Sequence, residues 1–329
     1  MRVRGMNYDV GAEMLAGRMS RPDFDEATVR GELAAIAGEL HCDAVRISGQ
    51  DHDRLRTATR IAHELGLTVY LSPLRGDLRQ AQALDHVARG AELAEQLRAG
   101  GDTVLVIGLE ATLFQHGFLP GETTADRIRV ASRPVRMILG MLRTGDPHQR
   151  LNAYLGTAVA LARERFGGLV TYASGSWERV DWTPFDIVGV NLYRDRKNHA
   201  RYRDTLRAYA AHGKPLVITE FGCCTYRGAA DRGGMGWAAV NRDTSPPRLA
   251  DGIVRDERAQ ATELRELLDM YREEPVTGAF VFTWANYSYP WDEVAQRNLD
   301  TAGYGVVAVD RDGRWRPKEA YTMLASANV

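Results

Sequence analysis

Short blocks of consecutive apolar residues alternate along this chain with longer stretches in which apolar positions recur every three or four residues. Val3 to Tyr8 is the first block. Asp25 caps a predicted helix through Leu40, with Val29, Leu33, Ile36 and Leu40 along one face. Asp43 to Gly49 is a second strand, followed by helical spacing from Asp51 to Leu65. Leu67 to Pro73 is a third strand, closed by its proline. An alanine- and leucine-rich helix over 77–99 ends at Gly100-Gly101, and a fourth strand, Thr103 to Gly108, runs into Leu109-Glu110.

The pattern continues less regularly. Residues 111–127, with Phe114, Phe118, Pro120 and Gly121, read as a loop over the strand end, and helices over 133–143 and 148–165 flank Gly145-Asp146-Pro147. Leu169 to Ala173 is the fifth strand and Phe185 to Tyr193 the sixth, with room for little more than a turn between them. A helix over 199–211 leads to strand seven, where Pro215-Leu216-Val217-Ile218-Thr219 runs straight into Glu220-Phe221-Gly222. Residues 222–252 read as a glycine-rich loop, 255–273 as a helix, and Gly278 to Trp284 as strand eight. A loop holding Tyr287, Tyr289, Trp291 and Tyr304 then leads past Pro317 to a closing helix. Eight strands with helices between most of them predict an α/β fold: a (β/α)8 TIM barrel, one domain over 1–329, with extended loops after strands 4, 7 and 8. An open doubly wound sheet is the alternative, but no G-x-G-x-x-G or Walker loop follows strand one.

Charge changes little in this picture. The 42 basic and 43 acidic residues nearly cancel, which gives no bulk reason to expect nucleic acid or an acidic membrane as partner. Arg194, Arg196, Lys197, Arg201 and Arg203 read as a solvated helix face. Three cysteines, Cys42, Cys223 and Cys224, make a poor disulfide framework and fit a reducing compartment. Met1 to Asp9 has no apolar core of a signal peptide, and no run of about 18 apolar residues occurs; a cytoplasmic, soluble protein is expected. The eight histidines show no metal-binding spacing, so no metal and no cofactor is implied. Nothing in the sequence sets an oligomeric state.

In a parallel barrel the strand ends converge on one rim, so residues distant in sequence meet. The rim residues expected here are Asn7, Tyr8, Arg46, Glu110, Trp177, Glu178, Asn191, Tyr193, Glu220 and Trp284. Glu110 and Glu220, after strands four and seven, suit cleavage of a glycosidic bond, one as nucleophile and the other as proton donor; the retaining route needs the two carboxyl groups about 5–5.5 Å apart. Arg46 is expected to keep Glu220 ionised, Tyr193 to orient it, and Trp284 to form a floor against the apolar face of a sugar. Glu178 reads either as a substrate-binding acid or as the salt-bridge partner of an arginine in the next loop. Tyr287, Tyr289 and Trp291 either stack on sugar or pack their own loop. Cys223 and Cys224 have no histidine nearby and read as packing.

Thr219-Glu220-Phe221-Gly222, Val45-Arg46-Ile47, Tyr193 and Trp284 together resemble glycoside hydrolase clan A, the retaining barrel enzymes with an acid/base glutamate after strand four and a nucleophilic glutamate after strand seven. That resemblance spans essentially the whole chain by strand order. It implies a substrate that is a β-linked sugar or sugar conjugate. Gly108-Leu109-Glu110-Ala111-Thr112-Leu113-Phe114 with Pro120-Gly121, and Trp177 to Trp182 before Phe185-Asp186, resemble a bacterial group labelled abortive-infection proteins. Leu109 stands where the clan usually keeps an asparagine for the sugar 2-hydroxyl, and strand three ends without a histidine. Two further functions stay open on this reading: other acid-base chemistry on a natural product, and a non-catalytic sugar-binding or phage-defence module.

Overall fold

A computed structural model describes residues 1–15, 17–131 and 145–327. Eight parallel strands form its centre: β1 Val3–Gly11, β2 Ala44–Gly49, β3 Thr68–Pro73, β4 Thr103–Leu109, β5 Leu169–Gly175, β6 Val188–Asn191, β7 Leu216–Phe221 and β8 Gly278–Val281. They close in the order β1-β8-β7-β6-β5-β4-β3-β2, so every strand lies beside its neighbours in sequence and the fold is the (β/α)8 barrel expected. Strands buried on both faces need apolar residues at successive rather than alternate positions. All six residues of β7 are buried accordingly.

The helices are α1 Glu26–Ala34, α2 His52–Glu64, α3 Gln80–Arg98, α4 Ala111–Phe114, α5 Thr124–Ala131, α6 Pro147–Arg163, α7 Tyr202–Ala210, α8 Glu257–Glu273 and α9 Glu319–Ala327. Four of them start where an aspartate accepts from the free amides of the first turn: Asp25 for α1, Asp51 for α2, Asp146 for α6 with Pro147 behind it, and Asp256 for α8. Each such cap contributes about 1 kcal/mol. No helix among the described residues is long and apolar enough to cross a membrane.

The chain gathers into two compact units, one of residues 1–9, 31–46 and 192–329, the other of 10–30 and 47–191. In the first, Gly5 of β1 is paired with Phe280 of β8, and a Cβ at position 5 would lie 2.3 Å from that ring, so the glycine makes room for the aromatic core. In the second, β3, β4, β5 and β6 pair in sequence, with Leu105 opposite Val170 and Gly175 opposite Asn191.

Several connections hold more structure than their composition suggests. Residues 111–127 contain α4 and the start of α5, held by Arg127, which donates to the Leu113 carbonyl at 2.6 Å and pairs with Asp77. Within 222–252 lie a 3-10 segment, Ala230–Ala239, and a hairpin of Val240–Asn241 with Arg248–Leu249. They cover an apolar cluster of Cys223, Cys224, Tyr226, Leu249 and Tyr304. The amide of Gln260 pins that cluster by donating to the carbonyls of Cys223, Tyr304 and Gly305. After β8 a hairpin, Val307–Val309 with Trp315–Pro317, precedes α9. The helix expected over 133–143 lies outside the described residues. Of the arginines read as a solvated face, Arg194 is buried, paired with Glu263 at 2.5 Å and with Glu266 at 2.6 Å.

Candidate active site

Glu220 is the last residue but one of β7, and Arg46 and Tyr193 hold its carboxylate. Arg46 of β2 donates from Nη1 to Oε1 at 2.8 Å, and Tyr193 donates its hydroxyl to Oε2 at 3.1 Å. Arg46 is 1% exposed and Glu220 8%, so water screens the pair little. A guanidinium at this distance stabilises the carboxylate charge. Asn7 of β1 completes the arrangement: its Oδ1 accepts from Arg46 at 3.4 Å, and its Nδ2 donates to the Thr219 carbonyl at 3.0 Å. Asn7 and Arg46 thus fix the end of the strand that carries the acid.

Two rim expectations in this unit are corrected. Strand side chains alternate between faces, so Asn7 and Tyr8 cannot both point the same way. Tyr8 is fully buried and donates to Glu32 at 2.5 Å, on the other face from Asn7. Tyr287 donates to the same carboxylate at 3.0 Å, so it ties its loop down. Trp284 lies three residues beyond the end of β8, wholly buried, with its ring 5.1 Å from that of Trp315 and 6.1 Å from that of Tyr321. It has no surface to offer a sugar. The aromatic beside Tyr193 is instead Phe282, edge-on at 6.4 Å, together with Tyr304 at 5.6 Å. Phe282 was not singled out from the sequence because Trp284, two positions on, matches the clan's pattern. Cys223 and Cys224 are buried, and burial pushes both thiols up; neither is a thiolate nucleophile.

Glu110 follows β4 directly in the other unit. Its backbone is left-handed, φ 38° and ψ 49°, a conformation that costs a residue with a Cβ about 1–2 kcal/mol. The turn is held from both sides. The Glu110 N–H donates to the Ala173 carbonyl at 2.9 Å, and its own carbonyl accepts from Leu113 and Phe114. The Ala111 N–H donates to the Tyr172 hydroxyl at 2.6 Å. Thr112 donates its N–H and its hydroxyl to Glu178 Oε1, at 3.0 and 2.7 Å. Asn191, at the end of β6, donates Nδ2 to Glu110 Oε1 at 2.9 Å.

Among the described residues Glu178 has no arginine partner, and it is not turned to solvent. It is 4% exposed and takes four donors, the two of Thr112, the Tyr172 hydroxyl at 2.9 Å and the Gly175 N–H at 3.1 Å. Burial pushes its carboxyl above the ordinary range, while those donors pull it back. Tyr172, on β5, is held firmly as a phenol by burial and by Glu178 beside it. Trp177 anchors its Nε1 on Thr112 at 3.1 Å and stays 45% exposed. Its indole lies over Gly175, where a Cβ would come within 2.4 Å of the ring. Leu109 is buried.

The ten predicted rim residues thus fall into three sets. Asn7, Arg46, Tyr193 and Glu220 are brought together in one unit. Glu110, Asn191, Trp177 and Glu178 are brought together in the other, through Tyr172 and Thr112, which the sequence reading had not chosen. Tyr8 and Trp284 belong to neither. Among the described residues no group of three or more histidine, cysteine, aspartate or glutamate side chains is arranged to hold a metal.

No family model and no curated protein sequence matches the chain. Solved structures do. A GH113 beta-1,4-mannanase superposes with a TM-score of 0.66 at 15% identity, over 100% of this chain and 99% of that one. A GH113 beta-mannanase from Alicyclobacillus acidocaldarius gives 0.64 at 18%, over 99% and 97%. A beta-glucosidase gives 0.57 at 14%, over 100% and 98%. At these identities the likeness is one of fold, shared with barrel glycosidases along their full length; it does not bear on the abortive-infection group.

Proposed function

We propose that this chain is one barrel domain that acts as a retaining glycoside hydrolase, or transglycosylase, on a β-linked sugar or sugar conjugate. The observation that carries the reading is Glu220 at the end of β7, its carboxylate held and oriented by Arg46 and Tyr193. A carboxylate so held is suited to attack an anomeric carbon. Glu110, at the end of β4 with Asn191 on its carboxylate, serves as the acid that protonates the departing oxygen. It then takes the proton of the water or sugar hydroxyl that displaces Glu220. Trp177, exposed and anchored, offers an aromatic face for a sugar ring. The full-length fold likeness to barrel glycosidases supports the same reading.

The test is a panel of aryl β-glycosides, followed by inactivation with 2-fluoro glycosides and peptide mass spectrometry. Release of the aryl group with a covalent label on Glu220 is the expected result. Absence of both turnover and label overturns it. Leu109, buried and apolar just before Glu110, favours a second reading, acid-base chemistry on a compound without the usual 2-hydroxyl contact. That reading is selected if such turnover is lost in both Glu110→Gln and Glu220→Gln and no glycosyl label forms.

A further inference from the structure

Arg46, Arg194 and Arg255 each sit on a buried carboxylate. Arg242 is different. Among the described residues no carboxylate lies within ion-pair reach of it, its sequence neighbour Asp243 included. Its guanidinium lies instead 5.1 Å from the ring centre of Trp237 and 5.8 Å from that of Tyr289, and donates from Nη2 to the Tyr289 hydroxyl. Tyr289 takes one of the five N–H donors a guanidinium carries. Two aromatic rings beside the cation attract it and limit its movement, so little ordering is left to be lost on binding. The remaining donors form a planar fork, the arrangement that matches an oxyanion with two acceptor oxygens.

This seat is joined to Glu220 through contacts within one unit. Trp237 and Tyr289 pack on the same apolar cluster as Tyr193 and Phe282. Gly236, just before Trp237, donates its N–H to the Tyr304 hydroxyl at 2.9 Å. The Tyr304 ring lies 5.6 Å from that of Tyr193, whose hydroxyl is on Glu220.

We infer that Arg242 reads an oxyanion on the substrate: the sugar, or the group joined to it, carries a carboxylate or a phosphate. This rests on the glycosidase reading of Glu220 and adds the class of substrate to it. The test uses the Glu220→Gln protein, which binds without turnover, and calorimetric titration with several hexoses, each beside its uronic acid and its 6-phosphate. At least one acidic member binds about tenfold or more tighter than its neutral counterpart, the worth of one charge-assisted contact. The advantage shrinks at high salt. The uronic acid and phosphate arms identify which oxyanion is read. In Arg242→Met the advantage disappears while the neutral sugar binds as before, and Arg242→Lys keeps only part of it. Equal binding of acidic and neutral members, no binding of any, or an acid preference unchanged in Arg242→Met overturns the proposal. Label on Glu220 without acid preference sinks this inference alone; acid preference without any label sinks the hydrolase reading instead.

Discussion

Glu178 accepts both hydrogens that Thr112 turns toward it, the backbone N–H at 3.0 Å and the hydroxyl at 2.7 Å. Thr112 is two residues beyond Glu110, whose left-handed backbone needs outside support. A buried carboxylate with no cation is a costly way to hold a turn. It survives here because four donors converge on it, and through Tyr172 it also holds the Ala111 amide. It holds the turn that carries Glu110.

Replacing Glu178 with glutamine tests that role and has a definite pH dependence. The glutamine NH2 accepts from neither Tyr172 nor Gly175, so the buried Gly175 N–H is left unpaired, at a cost of about 1–3 kcal/mol. Burial raises the folded-state pKa of Glu178 above its unfolded value. Its contribution is then fully present below the ordinary carboxylate pKa and is lost as pH rises through the raised value. Glutamine does not titrate. The stability gap between the two proteins, measured by urea unfolding, therefore narrows from about pH 4 toward pH 7. A gap that widens over that range would show that burial does not dominate at this site.

The barrel and its two terminal acids were legible because they depend on local signals. A run such as Leu216 to Thr219 suits a strand buried on both sides, and an acid placed directly after it appears at the rim. Tyr8 was misplaced by one residue, since Asn7 faces Arg46 and its neighbour faces the other way, and Trp284 by two, past the end of β8, where Phe282 rather than Trp284 lies beside Tyr193. The purpose of Glu178 was hidden because two of its donors are backbone amides, which no residue type reveals. The order within 222–252 was hidden for a related reason. It depends on Tyr304 and Gln260, which are distant in sequence and not themselves marked by any local pattern.

The Arg46–Glu220 pair predicts a coupling that two single substitutions cannot show. Arg46→Met leaves a buried carboxylate without its cation and destabilises the protein by about 3–5 kcal/mol. Glu220→Gln leaves a buried guanidinium that still has Asn7 and the Thr219 carbonyl. Combining the two removes both charges, and the double variant is more stable than Arg46→Met alone. Denaturant titrations of the four proteins should give an interaction of at least about 1 kcal/mol. If Arg46→Met costs the same in either background, the arginine supports the strand end through Asn7 and not through the acid.

Lys318 ties together the loops that carry Trp237, Arg242 and Tyr304. Its ammonium is wholly buried, 2.8 Å from Asp300 Oδ1 and 3.0 Å from the Thr225 hydroxyl. Asp300 is also paired with Arg255 at 2.8 Å. One lysine before α9 thus ties the turn around Asp300 to the segment that follows β7. Burial pulls its pKa below the usual amine value, while Asp300 opposes that shift. Lys318→Met removes one of the two cations on a carboxylate that is itself only 1% exposed. The expected loss is about 3 kcal/mol, at the lower end of the range for a broken buried pair because Arg255 remains. The loosening is local. Hydrogen exchange should quicken at the amides of Thr225 and Asp256, which bond to Thr301 and Thr225 respectively, and stay unchanged in β4. Uniform acceleration through both regions would mean that Lys318 supports the fold as a whole and not the loops after β7 and β8.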